Sequence, residues 1–159
     1  IDDVYKIFDL LYKEILESSD YIDWEENILY TLDNSTEKNE KAYGPILRVG
    51  FLDMILRNGF YDEGNVRWFD QEWILEAVPA KFVLCRAIAQ FYYAKFEEFC
   101  SMQTLLEKYN IMPIYEPFRM LESMFTELIL EEKQWLESSV FRGGDRQKYI
   151  DNIKKLLEC

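Results

Sequence analysis

Histidine is absent from all 159 residues of this chain. Its absence excludes Ser-His-Asp and Cys-His catalysis, the common catalytic zinc sites and histidine-based pH switching. Cysteine is scarce: Cys85, Cys100 and Cys159 are the full set, an odd count with no CxxC spacing. That argues against a disulfide framework or a zinc site, and a reducing, cytoplasmic compartment is expected. Basic residues are outnumbered, 18 Lys and Arg against 30 Asp and Glu, for a net charge of −12. No basic stripe offsets this, so neither nucleic acid nor an anionic membrane surface is an expected partner. No apolar run approaches the roughly 20 residues that span a bilayer, so no membrane insertion is expected, and no signal peptide is seen. No internal repeat and no low-complexity tract occurs.

What is present is enough for a core. Hydrophobic residues make up 49% of the chain and aromatics 16%. A chain of this length buries roughly 70% of its unfolded surface and needs no covalent staples. Residues 1–159 are read as a single helical domain. The chain starts at Ile1 rather than Met. That suggests a fragment of a longer polypeptide, with an upstream domain as its partner; self-association is a second partner expectation.

Residues 3–18 predict an amphipathic helix, with Val4, Ile7, Phe8, Leu11 and Ile15 at helical spacing. Residues 23–32 predict a second, short helix. Asp33 to Pro45, polar and closed by Gly44-Pro45, predicts a surface loop. Residues 46–73 form a different kind of segment. Ile46 to Ile55 is short, apolar and without helical period, which predicts a buried strand or tight loop. Two short runs then flank Asp62-Glu63-Gly64-Asn65, which predicts a β-hairpin. From Pro79 the pattern is helical to about Tyr109, as two helices with a bend. Pro113 and Pro117 read as stops. A long helix follows from Phe118 to about Leu136. After Gly143-Gly144, Asp145 is a plausible N-cap for the last helix. The expected fold is mainly α with a small β-hairpin, an α+β arrangement, and the hairpin must pack on the helices.

The chemistry-bearing residues sit in the 46–73 segment. Asp53 closes an apolar run, Asn58 follows it, and Asp70 comes after the hairpin behind Trp68 and Phe69. Two acids pinned by apolar neighbours can converge, and Asp, Asn and Asp oxygens suit a hard cation such as Mg²⁺. The same three residues could instead cap turns and accept backbone N–H groups. Trp68 and Trp73 flank Asp70 and could line a cleft around it, the default ligand site. Glutamates at 72, 76, 97 and 98 do not make a di-iron set, which wants Glu-x-x-His pairs.

The order Asp53, Asn58, hairpin, Asp70 resembles the catalytic segment of the kinase-like superfamily, and most of all its aminoglycoside and choline kinase branch. The resemblance implies that Asp53 is the catalytic-loop Asp, and that Asn58 and Asp70 hold Mg²⁺ against nucleotide phosphates. It also implies that the helices from Pro79 form a C-lobe. More narrowly, Phe69-Asp70-Gln71-Glu72-Trp73 followed by a Pro-Ala helix is similar to a module of bacterial methyltransferases and glycosyltransferases of surface-polysaccharide synthesis. There the module follows the transferase domain in the same polypeptide. The match covers Gly50 to Pro79 and departs from the kinase pattern at several points. No His or Arg directly precedes Asp53, Gln71-Glu72 follows Asp70, and no Gly-rich loop or N-lobe Lys is found. The implied function is an accessory or substrate-positioning domain of a larger transferase in glycan synthesis. A Mg²⁺-dependent small-molecule phosphotransferase in the parent protein and a non-catalytic interaction module are the alternatives.

Overall fold

The computed structural model describes residues 2–30, 40–62, 65–93 and 100–127. The expected Asp145 cap, the last helix, and much of the 33–45 loop lie outside the described residues. The chain divides into two compact units, Ile1–Arg119 and Met120–Cys159. In the second unit, residues 120–127 are helical.

The first unit starts with helix α1, Asp2–Glu17, whose first turn carries Asp2 and Asp3 where the helix dipole favours acids. Phe8, Leu11 and Ile15 are buried as the periodicity predicts, but Ile7 is 48% exposed. Strand β1, Tyr21–Ile22, is followed by a 3₁₀ turn at Trp24–Glu26 where a short α-helix is expected. Asn27 explains the break: its Oδ1 accepts the Leu29 N–H at 3.0 Å, an Asx-type turn that competes with helical bonding. A short helix, α2 (Glu40–Tyr43), ends the region read as a loop.

The strand expected at Ile46 to Ile55 is present, but β1 and the strand at Ile74–Pro79 go beyond the sequence reading. Strand β2, Ile46–Phe51, lies at the centre of an antiparallel sheet, between β1 and a strand at Ile74–Pro79. The separate hairpin joins β3, Gly59–Asp62, to β4, Asn65–Trp68, with Gly59 opposite Trp68. The Ile74–Pro79 strand, β5, escapes pattern reading because Ile74-Leu75-Glu76-Ala77 does not alternate cleanly and Ala77 adopts φ 54°. Turned that way, the Ala77 carbonyl accepts the Ile28 N–H at 2.7 Å. Gly50 on β2 is required by close approach: a Cβ there would lie 2.4 Å from Val78 Cγ1.

Helix α3, Ala80–Tyr93, follows β5 directly, and α4, Met102–Lys108, is capped by Ser101, whose hydroxyl accepts the Thr104 N–H at 3.2 Å. The break expected around Pro113 is present, since α4 ends at Lys108 and the next α-helix starts at residue 115. Pro113 lies in a 3₁₀ turn, Met112–Ile114, and Pro117 in the first turn of a helix that starts at residue 115, where no N–H partner is needed. Aromatic pairs tie the core together. Phe8 meets Phe91 edge-on at 5.4 Å, and Phe118 meets both Tyr43 at 5.7 Å and Phe82 at 5.6 Å. Cys85 and Cys100 are both buried. No helix among the described residues is long and apolar enough to cross a membrane.

Candidate functional site

The turn after β2 carries Asp53, the 3₁₀ turn at Leu56–Asn58 carries Asn58, and the segment leaving β4 carries Asp70. Asn58 joins the three. It is buried, and its Nδ2 donates to the Asp53 carbonyl at 3.2 Å and to the Asp70 carbonyl at 3.5 Å. Asp53 is 7% exposed, and its Oδ2 accepts the backbone N–H of Trp73 at 3.1 Å. Its main-chain carbonyl accepts three donors: Ile55 N–H at 2.8 Å, Asn58 Nδ2 at 3.2 Å and Gln71 Nε2 at 2.7 Å. A buried carboxylate is costly without such partners. Asp53 therefore holds the turn to Trp73, and Asn58 and Gln71 hold it from the other side.

Two further ties fix the same turn. Leu52 N–H donates to the Trp73 carbonyl at 2.9 Å, and Arg86 Nε of α3 donates to the Leu52 carbonyl at 2.9 Å. Gln71 and Arg86 are positions at the candidate site that sequence reading missed. Gln71 carried a weak signal, since it stands where the kinase-like pattern departs. Arg86 carried none, as a lone cation on a helix.

Asp70 is placed differently. It is exposed, and it adopts φ 56°, a left-handed conformation that Asp tolerates better than most residues. What reaches Asn58 is the Asp70 carbonyl. Among the described residues no three His, Cys, Asp or Glu side chains are grouped to hold a metal ion. Asn58 Oδ1, the exposed Asp70 carboxylate and Gln71 Oε1, which is buried without a hydrogen-bond partner, are oxygens a cation could use. So few protein groups fit Mg²⁺ only where phosphates and waters complete its shell.

The two tryptophans part company. Trp73 is tied to Asp53 through its backbone and is half-buried. Trp68 faces α1 instead. With Tyr61 and Val66 it lines a cleft of about 610 Å³, whose other wall is Ile7, Leu10 and Leu11 of α1. The indole N–H of Trp68 is shut off from solvent with no acceptor. On the opposite hairpin face Phe60 and Phe69 stack at 4.9 Å and stay exposed.

One polar cluster lies elsewhere, between α1 and α4. Asp9 accepts the Tyr109 hydroxyl at 2.8 Å and pairs with Lys108 at 2.8 Å. Burial raises the Asp9 pKa, but the hydrogen bonds from Lys108 and Tyr109 outweigh it and leave the carboxyl below its ordinary range. Burial, then the Asp9 hydrogen bond, pushes the Tyr109 phenol far up. This is a staple joining helices, with no cavity beside it among the clefts described. Lys81 is likewise structural: its ammonium donates to the Ala42 carbonyl at 2.7 Å, and burial lowers its pKa.

No family profile, curated protein or solved structure matches this chain.

Proposed function

We propose that this chain is an accessory, substrate-positioning domain of a larger bacterial transferase, a methyltransferase or glycosyltransferase acting in polysaccharide synthesis. One observation carries the non-catalytic half of this reading: the Asp53 carboxylate and the Asn58 amide are both engaged with backbone groups. A general base must have a free lone pair directed at its substrate. Here Asp53 is 7% exposed with its Oδ2 on the Trp73 N–H, so burial rather than loss of every lone pair keeps the carboxylate from a substrate. The transferase context rests on the likeness of Gly50 to Pro79 to modules of such enzymes. The test is deletion of this domain from the polypeptide that carries it. A raised KM for the glycan acceptor with a residual kcat is expected, because positioning energy is lost and chemistry is not. Unchanged KM and kcat would refute the reading.

A second reading is favoured by the convergence at Asn58, which reaches both acid-bearing segments. In it the parent protein phosphorylates a small hydroxylated molecule, with Asp53 orienting the hydroxyl and Asn58 and Asp70 holding Mg²⁺, which would neutralise phosphate charge. Calorimetric titration of Mg²⁺·ATP into the full polypeptide, with Asp70→Ala as control, separates the two. No saturable binding supports the accessory domain; binding that the variant loses supports the phosphotransferase.

A further inference from the structure

We propose that the cleft between α1 and the β3–β4 hairpin binds a neutral, ring-bearing apolar small molecule, at a site distinct from Asp53, Asn58 and Asp70. Its volume, about 610 Å³, lies within the roughly 300–1,000 Å³ of small-molecule sites. The walls are aliphatic on the helix side, from Ile7, Leu10 and Leu11, and aromatic on the hairpin side, from Tyr61 and Trp68. Aromatic faces favour a ring stacked on or against them.

The cleft depends on a specific residue. Gly59 sits opposite Trp68, and a Cβ there would meet the indole carbons at 3.0 Å and Val66 Cγ1 at 3.0 Å. Glycine thus allows the indole to lie over the strand as a wall. Ile7 is 48% and Tyr61 71% exposed, so both leave apolar surface uncovered at the cleft. Covering that surface is favourable in proportion to its area.

Charge decides the ligand class. Among the described residues the charged lining residues are Lys6 and Asp3, which pair with each other at 3.1 Å with side chains 77% and 92% exposed. Both charges stand in solvent, so no buried charge faces the cleft to hold an ionised ligand. The chain as a whole carries −12, which repels anions in particular.

The test uses N-phenyl-1-naphthylamine, a neutral dye that fluoresces when desolvated, titrated into the full 159-residue chain. Saturable binding of one dye per chain is expected. Leu10→Trp fills the cleft from α1, and Ile7→Trp does so from a half-exposed position that the fold tolerates. Each should weaken binding by about tenfold or more, whereas Ile74→Trp, at an exposed position outside the cleft, should leave it unchanged. The sulfonated analogue, 8-anilino-1-naphthalenesulfonate, has the same rings and one negative charge, and should bind about tenfold more weakly. The proposal is overturned if a folded chain gives no saturable signal, or if binding survives in both cleft-filling variants. Equal affinity for the sulfonate would overturn the neutral ligand class.

Discussion

Replacing Asp53 separates a structural carboxylate from a chemical one. The side chain is 7% exposed and holds the Trp73 N–H at 3.1 Å. Asp53→Ala removes the acceptor and leaves that N–H without its carboxylate. Hydrogen bonds to charged groups contribute about 1.5–3 kcal/mol, and an unsatisfied buried donor costs about 1–3 kcal/mol. These are two views of one loss, so the expected destabilisation is about 2–3 kcal/mol. For a chain of this length each kcal/mol moves Tm by roughly 2–4 °C, giving a fall of about 5–10 °C. Asp53→Asn keeps an acceptor oxygen at nearly the same place and forfeits only the charge assistance, about 1 kcal/mol or 2–4 °C. The assay is thermal unfolding followed by circular dichroism, checked by urea midpoints. An Ala variant that melts with the wild type would refute the tie to Trp73. An Asn variant as damaged as the Ala variant would show that negative charge itself is required. That result would move the argument towards a bound cation and the phosphotransferase reading.

Three further outcomes are expected. Gly50→Ala should cost about 1–3 kcal/mol, because its Cβ would sit 2.4 Å from Val78 Cγ1 and 3.1 Å from Val83 Cγ2, both on stiff β-branched side chains; Val78→Ala in the same chain should recover part of the loss in a double-mutant cycle of urea midpoints. At Asp70, where φ is 56°, Ala should be less stable than Asp by about 1 kcal/mol, and Gly should be more stable than Ala by a similar amount, as read from chemical denaturation. Tyr109→Phe should lose about 1 kcal/mol at neutral pH, and the difference from wild type should vanish at both extremes. On the acid side the Asp9 pKa is lowered, so its contribution is present above the ordinary value of about 3.9 and is lost as pH falls through the native value. On the alkaline side the Tyr109 pKa is raised, so its contribution is complete below about pH 10 and is lost as pH rises beyond that. Urea midpoints of both proteins across pH would show a plateau between the two limits, and a constant difference at every pH would sink the assignment.

Sequence pattern carried the helices well and the sheet poorly. Phe8, Leu11 and Ile15 repeat at helical spacing and are the buried residues of α1, and α3 and α4 lie in the stretch whose pattern predicts two helices. Local chemistry dominates such elements, so a single sequence exposes them. The Ile74–Pro79 strand is set by long-range partners. It pairs with β2, and its Ala77 takes a conformation that a side chain disfavours, held by the Ile28 N–H. No local signal predicts a strained residue whose reason lies on another segment. Pro117 lies in the first turn of the helix expected to start after it: a proline stops a helix or starts one, and its own sequence context does not say which.

The same division explains the candidate site. Spacing alone brought Asp53 and Asn58 together, since a short turn must return the chain within a few residues, and the hairpin returned Asp70 to them. What those side chains do is decided by groups far along the chain. Gln71 reaches the Asp53 carbonyl from 18 residues away, Trp73 reaches its carboxylate from 20, and Arg86 reaches Leu52 from 34. A carboxylate, an amide and a second carboxylate suit a metal and suit a backbone clamp equally well as residue types. The partners choose between these uses. In this chain they take up Asp53 Oδ2 and the Asn58 amide protons and leave the Asp70 carboxylate exposed. Asp70 is therefore the residue at which clamp and chemistry give different results. A clamp uses only its carbonyl and tolerates Asn or Gly there, while a phosphate-bound cation needs its side chain.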